Sequence, residues 1–273
     1  MPSAPPVVLT IAGFDPSSGA GVSADIKTIA AHGCYGIGCI TALTVQSTTG
    51  VRRVEAVSAR LVRDTLEDLA ADLAPGAVRI GMLATAPIVD AVADFLEARK
   101  LPNTVLDPVI RASSGAELLD AKGIERLSRR LLPLVSVITP NIDEAATLTG
   151  TPVTNPVEMK AAARQLHQMG ARNVVVTGGH LERAVDLLSM AADGETEQLE
   201  FASERQRTTS THGTGCAFAA SLASNLALGR QLRDAVVLAK AYVTQAIARS
   251  FPLGHGSGPI NHLFRMDQPL RPG

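Results

Sequence analysis

The chain has 273 residues, of which 46% are hydrophobic and 19% are charged, and its formal net charge at pH 7 is −1. This composition supports a large buried core and argues against a disordered chain. Lysine and arginine are spread along the sequence, so no basic patch predicts binding to nucleic acid or to an anionic membrane surface. We therefore expect any anionic ligand to be held locally, by backbone amides, a metal ion or a few side chains.

The three cysteines, Cys34, Cys39 and Cys216, are an odd number and lack the spacing of a metal site. We interpret them as reduced thiols of a cytoplasmic protein, because a disulfide framework needs pairs. The first residues lack the basic start and long apolar stretch of a signal peptide. No run of about 18 apolar residues predicts a membrane span.

Short apolar runs alternate with longer amphipathic segments along the whole chain. The pattern predicts strands at residues 7–11, 37–45, 78–80, 105–106, 135–138 and 173–176, and helices at residues 22–32, 61–73, 88–99, 124–131, 159–169, 214–228 and 232–248. Residues 183–190 and 198–202, which flank Asp193-Gly194, predict a hairpin added to the same sheet.

Short unbroken strands between helices are typical of a parallel sheet that is covered on both faces. The sequence contains no Pro/Gly/Ser-rich linker and no fixed-period repeat. We therefore predict one α/β domain over residues 1–273, with three α/β/α layers, a mostly parallel central sheet and no separate lid domain.

Residues that could bind a ligand or take part in a reaction follow the predicted strands. Ligands of such sheets bind at the carboxyl ends of the strands, so the loops there are the candidate site. The loops contain Gly13-Phe14-Asp15-Pro16-Ser17-Ser18-Gly19-Ala20-Gly21, Gln46-Ser47-Thr48-Thr49-Gly50, Gly81-Met82-Leu83, Asp107-Pro108-Val109, Pro140-Asn141 and Gly178-Gly179-His180.

A glycine-rich segment, Thr211 to Cys216, opens a helix that is apolar almost all round. Free N–H groups at the positive end of this helix would form an anion site for a phosphoryl group. Cys216 lies in the first turn, where the helix dipole should favour a thiolate that could take the proton from an attacking alcohol. The local sequence leaves open a plainer alternative, in which the glycines form a turn and Cys216 fills the core.

Three polar residues after strands each have both functional and structural interpretations. Asn141 and Glu144 form the pattern of a capping box, but they could also hold Mg²⁺ through water beside phosphates, and the two roles can coexist. Asp107, directly after an apolar strand, could serve magnesium, polarise a nucleophile or cap the next turn.

Asp25 and Gln46 could both face the same edge of the sheet. A carboxylate and an amide there would suit a small heterocycle that carries an amino group and a hydroxyl. The alternative for Asp25 is an ordinary aspartate on a helix surface.

Other known ligand motifs do not fit the sequence. Residues 19–24 match the dinucleotide pattern G-x-G-x-x-A, but the predicted strand ends near Ile11, well before this segment. A Walker A sequence is absent, so an ATP site would need another design. The histidines lack the spacing of a zinc site.

Taken in order, these segments resemble the hydroxymethylpyrimidine/phosphomethylpyrimidine kinases of thiamine biosynthesis. The match extends from the loop at Gly13 through Thr44–Gly50 and Thr211–Cys216 to Gly258-Pro259-Ile260-Asn261-His262. The resemblance implies a ribokinase-like fold, a homodimer, and two ATP- and Mg²⁺-dependent phosphorylations. The substrates would be 4-amino-5-hydroxymethyl-2-methylpyrimidine and then its monophosphate.

The resemblance also implies roles for particular residues. Cys216 would be the base, and Gly213, Thr214 and Gly215 would complete the anion hole with it. The remaining implied positions are Gly13, Asp25, Gln46, Met82 and Val109 for the pyrimidine, Asn141, Thr177, Gly179 and His212 for ATP, and Asp107 and Glu144 for Mg²⁺.

The sequence departs from the family pattern where lysines are common. Thr177, Ser113 and His255 occupy such positions, which places the second phosphorylation in more doubt than the first. Arg111 could compensate. Two alternatives stay open: a pyridoxal or pyridoxine kinase of the same fold, and a pyrimidine-binding protein without catalysis.

Overall fold

The computed structural model describes residues 3–112, 114–179, 184–192, 195–203 and 210–266. The strands are β1 (Val7–Phe14), β2 (Tyr35–Ser47), β3 (Gly50–Ala56), β4 (Ala77–Ile80), β5 (Thr104–Leu106), β6 (Val137–Ile138), β7 (Asn173–Gly178), β8 (Ala184–Ala192) and β9 (Glu195–Ser203). The α-helices are α1 (Gly21–Ala31), α2 (Ala59–Asp72), α3 (Ala86–Arg99), α4 (Ala121–Arg126), α5 (Ile142–Thr149), α6 (Pro156–Gln168), α7 (Thr214–Ala227) and α8 (Leu232–Ala248).

The strands form one sheet in the order β3-β2-β1-β4-β5-β6-β7-β8-β9. The strands from β2 through β7 in this order run parallel, while β3 pairs antiparallel at one edge and β8 and β9 pair antiparallel at the other. The predicted α/β fold with a mostly parallel sheet is therefore confirmed. The turn at Asp193-Gly194 of the predicted hairpin lies outside the described residues.

Helices cover both faces of the sheet. One apolar core lies between the sheet and α2, α3, α5 and α6, and a second lies between the sheet and α1, α7 and α8. Because both faces of the central strands are covered, the six inner residues of β1 are all buried. None of the helices in the described ranges is both long and apolar enough to cross a bilayer.

The structure adds one strand that the sequence analysis missed. Strand β3 pairs with Ala42–Ser47 of β2, and β2 extends past the predicted end at residue 45. The missed strand has no apolar run, because Arg52, Arg53 and Glu55 lie exposed at the sheet edge. Gln46 therefore belongs to a strand of a hairpin and not to a loop.

Candidate active site

A cavity of about 520 Å³ opens where the parallel strands end. Loops after several strands, the start of α7 and one face of α8 form its wall. The predicted site residues that line it are Gly13, Gln46, Met82, Asp107, Val109, Asn141, Glu144, Thr177, Gly179, His212, Gly213, Thr214, Gly215 and Cys216. They come together because carboxyl ends of parallel strands share one edge of a sheet.

The first turn of α7 lies against the loop that follows β1. Gly213 has a φ of +84°, and a Cβ there would be 1.8 Å from the carbonyl oxygen of Gly19. A Cβ on Gly19 would in turn meet the His212 ring at 2.2 Å. The two glycine loops therefore touch through backbone, and Gly213, Thr214, Gly215 and Cys216 at the start of α7 line the cavity.

Cys216 is half-buried in the cavity wall. Burial raises the pKa of its thiol to about 11, although the neighbouring Arg79 guanidinium opposes this shift. The expectation that the helix dipole yields a thiolate is not met, because loss of hydration around the sulfur outweighs the favourable charges. A pKa near 11 favours the thiol over the thiolate at neutral pH.

Asp25 does not line the cavity, which corrects the expectation that it faces the pyrimidine. Its carboxylate is fully buried, accepts a hydrogen bond from Thr10 at 2.6 Å and lies 3.1 Å from Nη1 of Arg79. Burial raises the pKa of Asp25 to about 6, although Arg79 and Thr10 oppose the shift. The residue belongs to a charged cluster whose other members, Arg79 and Asp107, line the cavity.

Arg79 is the centre of this cluster and was missed by the sequence analysis. It is a basic residue inside the short buried strand β4, and its guanidinium has no exposed surface. Nη2 donates to Asp107 at 2.7 Å, while Nε and Nη1 have no partner with hydrogen-bond geometry. The guanidinium lies against Gly81, where a Cβ would be 1.8 Å from Nη1, so any larger residue there would displace the guanidinium.

Asn141 and Glu144 form the predicted capping box of α5. The Asn141 side chain accepts from the Glu144 amide, and the Glu144 carboxylate accepts from the Asn141 amide, each at 2.9 Å. Burial, and then repulsion from Asp107, raise the pKa of Glu144 well above its ordinary value. Two carboxyl groups thus repel each other at the cavity wall.

His212 joins the first glycine loop to β2. Its Nε2 is 2.8 Å from the Asp15 carboxylate and 3.3 Å from the Gln46 side chain. Asp15 is buried and also accepts hydrogen bonds from Ser17 and from the Ala20 amide. His212, which was expected at the nucleotide, therefore lies beside the residue expected at the pyrimidine.

The opposite end of the cavity contains a lysine that the sequence analysis also missed. Lys240 of α8 is largely buried and its Nζ is 2.6 Å from the Asp186 carboxylate, which also accepts from the Gly178 amide at 3.0 Å. Lys240 shares its face of α8 with Val243, Thr244 and Ile247, which also line the cavity. Nothing in a lysine on an amphipathic helix distinguishes this position from a solvated one. Ser113, one of the expected lysine positions, lies outside the described residues.

Comparisons with known proteins agree with this architecture. Residues 15–261 match the family model described as phosphomethylpyrimidine kinase. The chain is 42% identical over 259 residues to the hydroxymethylpyrimidine/phosphomethylpyrimidine kinase of Haemophilus influenzae, covering 93% of this chain and 96% of that one. It is 43% identical over 257 residues to the thiamine biosynthesis bifunctional protein ThiED of Geobacter sulfurreducens, covering 94% of this chain but only 52% of that relative.

Solved structures give the same picture. The phosphomethylpyrimidine kinase of Clostridium difficile 630 is 37% identical, with a TM-score of 0.77, and the alignment covers 89% of this chain and 99% of that one. An ADP complex of the pyridoxal kinase of Bacillus subtilis is 34% identical, with a TM-score of 0.87, covering 97% and 100%. A family match over residues 15–261, which include β2 through β9 and the start of α7, leads to one conclusion: the chain belongs to the phosphomethylpyrimidine kinase family.

Proposed function

We propose that the protein transfers phosphoryl groups from ATP first to 4-amino-5-hydroxymethyl-2-methylpyrimidine and then to its monophosphate, as a step of thiamine biosynthesis. The observation that carries this proposal is the position of the Gly213–Cys216 amides. They start α7, which packs on β1, β4 and β5 in the middle of the sheet. A phosphoryl group bound to these amides would lie between two ends of the cavity, one near Gln46 and the other near Thr177.

We assign the heterocycle to the end formed by Gly13, Gln46, Met82 and Val109. Met82 and Val109 offer apolar surface, and Gln46 offers an acceptor and a donor. A Cβ on Gly13 would be 2.8 Å from the Met82 sulfur, so the glycine lets that side chain lie against β1.

We assign the nucleotide to the end formed by Thr177, Gly179 and α8. Val243 and Ile247 provide an apolar wall there, and Lys240 provides a cation. Lys240 is well placed to take over the role of a lysine at position 177, because its partner Asp186 pairs with Thr177 in the sheet. Phosphoryl transfer needs mainly positioning and charge neutralisation from the protein, which open amides and one ammonium can supply.

The carboxyl groups of Asp107 and Glu144 fit a Mg²⁺ ion that is held through water and through ATP phosphates. Hard oxygen ligands suit this ion, and a nearby cation would relieve the repulsion between the two groups. Bound Mg²⁺–ATP would supply the phosphoryl group and neutralise part of its charge. Arg79 keeps Asp107 in place from below.

Cys216 is proposed as the base that accepts the alcohol proton. Since burial keeps the sulfur protonated at neutral pH, the small thiolate fraction would be the reactive form.

We also propose a cytoplasmic homodimer, which would cover Leu43 and Val45, two apolar side chains exposed on β2.

Product analysis tests the main proposal. Purified protein, ATP, Mg²⁺ and the hydroxymethylpyrimidine are incubated, and mass spectrometry separates monophosphate from diphosphate. We expect the monophosphate first and the diphosphate later, with ADP formed in step. Folded protein that releases no phosphorylated pyrimidine would contradict the proposal, and a monophosphate without diphosphate would limit it to the first transfer.

A second candidate is phosphorylation of pyridoxal, which the likeness to the Bacillus subtilis pyridoxal kinase favours. Parallel measurement of kcat/KM for the hydroxymethylpyrimidine and for pyridoxal discriminates between the two. We expect the pyrimidine to be preferred, because Gln46 can pair with an amino group that pyridoxal lacks.

A further inference from the structure

The side-chain amide of Gln46 lies between two partners of fixed polarity. Its Nε2 is placed 3.3 Å from Nε2 of His212, and its Oε1 is placed 3.1 Å from the hydroxyl of Thr44. All three side chains are half-buried beside the cavity. An amide can rotate by 180° about its last bond and exchange these two atoms, so the partners decide which orientation is stable.

The partner at one end is a donor. Nε2 of His212 is 2.8 Å from a carboxylate oxygen of Asp15. Burial raises the pKa of Asp15, but hydrogen bonds from His212 and Ser17 outweigh burial and leave the pKa below its ordinary value. The carboxylate is therefore ionised, and Nε2 carries a proton whether the imidazole is neutral or charged. A nitrogen of Gln46 facing it would oppose donor to donor.

The partner at the other end is an acceptor. The hydroxyl of Thr44 lies 3.0 Å from the carbonyl oxygen of Phe14 and 3.1 Å from the Gln46 amide, and its single proton can serve only one of them. The carbonyl can only accept, whereas the amide can rotate and donate, so both contacts are satisfied only when the hydroxyl donates to Phe14. The hydroxyl therefore presents a lone pair to Gln46. An amide oxygen facing that lone pair would oppose acceptor to acceptor, whereas an amide nitrogen would donate to it.

We infer that Asp15, His212 and Thr44 hold Gln46 in one orientation, with its oxygen toward His212 and its nitrogen toward Thr44, and thereby determine which heterocycle is accepted. This inference rests on the proposed function. A 4-aminopyrimidine presents an N–H donor beside a ring-nitrogen acceptor, and the 4-oxo analogue presents a C=O acceptor beside a ring N–H donor. A freely rotating amide could match either molecule, but a fixed one matches only one.

The proposal concerns recognition, so its test is a ratio of rates. We would measure kcat/KM with saturating ATP for 4-amino-5-hydroxymethyl-2-methylpyrimidine and for its 4-oxo analogue. The wild-type protein is expected to prefer the amino compound by at least about 100-fold, because the wrong heterocycle leaves polar groups of the site unpaired.

Two variants release the amide from opposite ends. Thr44→Val removes the acceptor without touching the start of α7, and His212→Ala removes the donor. In both, the preference for the amino compound is expected to fall by about tenfold or more, through a relative gain of the 4-oxo analogue. His167→Ala and Thr147→Val, which lie outside the cavity, are matched controls that should keep the wild-type ratio.

The ratio separates positioning from general damage. A variant that only disturbs the site lowers both kcat/KM values and leaves their ratio unchanged. An unchanged ratio in both folded variants would overturn the inference about Gln46 but not the proposed function. A wild-type protein that phosphorylates neither compound would overturn the proposed function together with it. Circular dichroism and thermal unfolding verify that each variant is folded.

Discussion

Nη2 of Arg79 donates to the Asp107 carboxylate at 2.7 Å, although both side chains are almost completely buried. The same guanidinium lies 3.1 Å from Asp25, so one cation neutralises two carboxyl groups at the floor of the candidate site. Removing a single member of such a cluster leaves an uncompensated buried charge. The cluster therefore matters more for the intact fold than exposed ion pairs do.

We predict that Arg79→Met lowers the free energy of unfolding by about 3–5 kcal/mol, the usual cost of breaking a buried ion pair from one side. Urea denaturation measures this free energy of unfolding. Arg60→Met is the matched control, because Arg60 lies 3.6 Å from Asp64 on an exposed surface, and it should change stability by less than about 0.5 kcal/mol. Equal midpoints for the two variants would show that the Arg79 cluster does not stabilise the fold.

The second prediction concerns the dependence of catalysis on pH. With the pKa of Cys216 raised to about 11, the thiolate fraction grows about tenfold per pH unit at neutral pH. If the thiolate accepts the alcohol proton, log kcat should rise with a slope near one between about pH 7 and 9. Stopped assays across this range test the slope.

Variants at two cysteines complete that experiment. Cys216→Ala should reduce kcat on the order of 10²–10⁴-fold and abolish the slope. Cys34→Ala, at a buried thiol outside the cavity, should keep the slope of the wild-type protein. A flat wild-type profile, or a full rate in Cys216→Ala, would remove the residue from the role of base.

The sequence analysis predicted the position of the site better than its electrostatics. Loop residues such as Gly213 and Asn141 could be placed, because parallel strands end at one edge and their following loops must meet there. The role of Arg79 could not be predicted, since its partners Asp107 and Asp25 lie 28 and 54 residues away in the sequence and only the folded sheet brings them together. The expectation of a Cys216 thiolate was not met, because the burial that raises the pKa of the thiol depends on tertiary packing. The helix dipole, on which the expectation rested, follows from local sequence alone.

The third prediction compares two glycines at the start of α7. Gly213→Ala should lower the free energy of unfolding by at least about 2 kcal/mol, because its φ of +84° is strained for alanine and the methyl would meet the Gly19 carbonyl. Gly215→Ala should leave stability within about 1 kcal/mol, because no atom lies within 4 Å of the added Cβ. Thermal and chemical unfolding measure both.

Activity gives the second half of this comparison. Gly215 lines the cavity, so a methyl there would narrow the approach to the α7 amides and reduce turnover in a protein that remains folded. Full turnover in Gly215→Ala would indicate that the phosphoryl group does not come close to this position.

The last prediction tests whether Lys240 binds the phosphates of the nucleotide. Lys240→Met should weaken ADP binding about 10–100-fold, the usual effect of losing a hydrogen bond between charged groups, and should leave adenosine binding unchanged. Calorimetry with both ligands measures the difference. Lys160→Met, at a partly exposed lysine 2.7 Å from Glu200 and outside the cavity, is the matched control and should bind both ligands as the wild-type protein does. Equal losses for ADP and adenosine would mean that Lys240 acts by holding α8 against Asp186, since a tether between helix and sheet shapes the whole nucleotide wall and not the phosphate end alone.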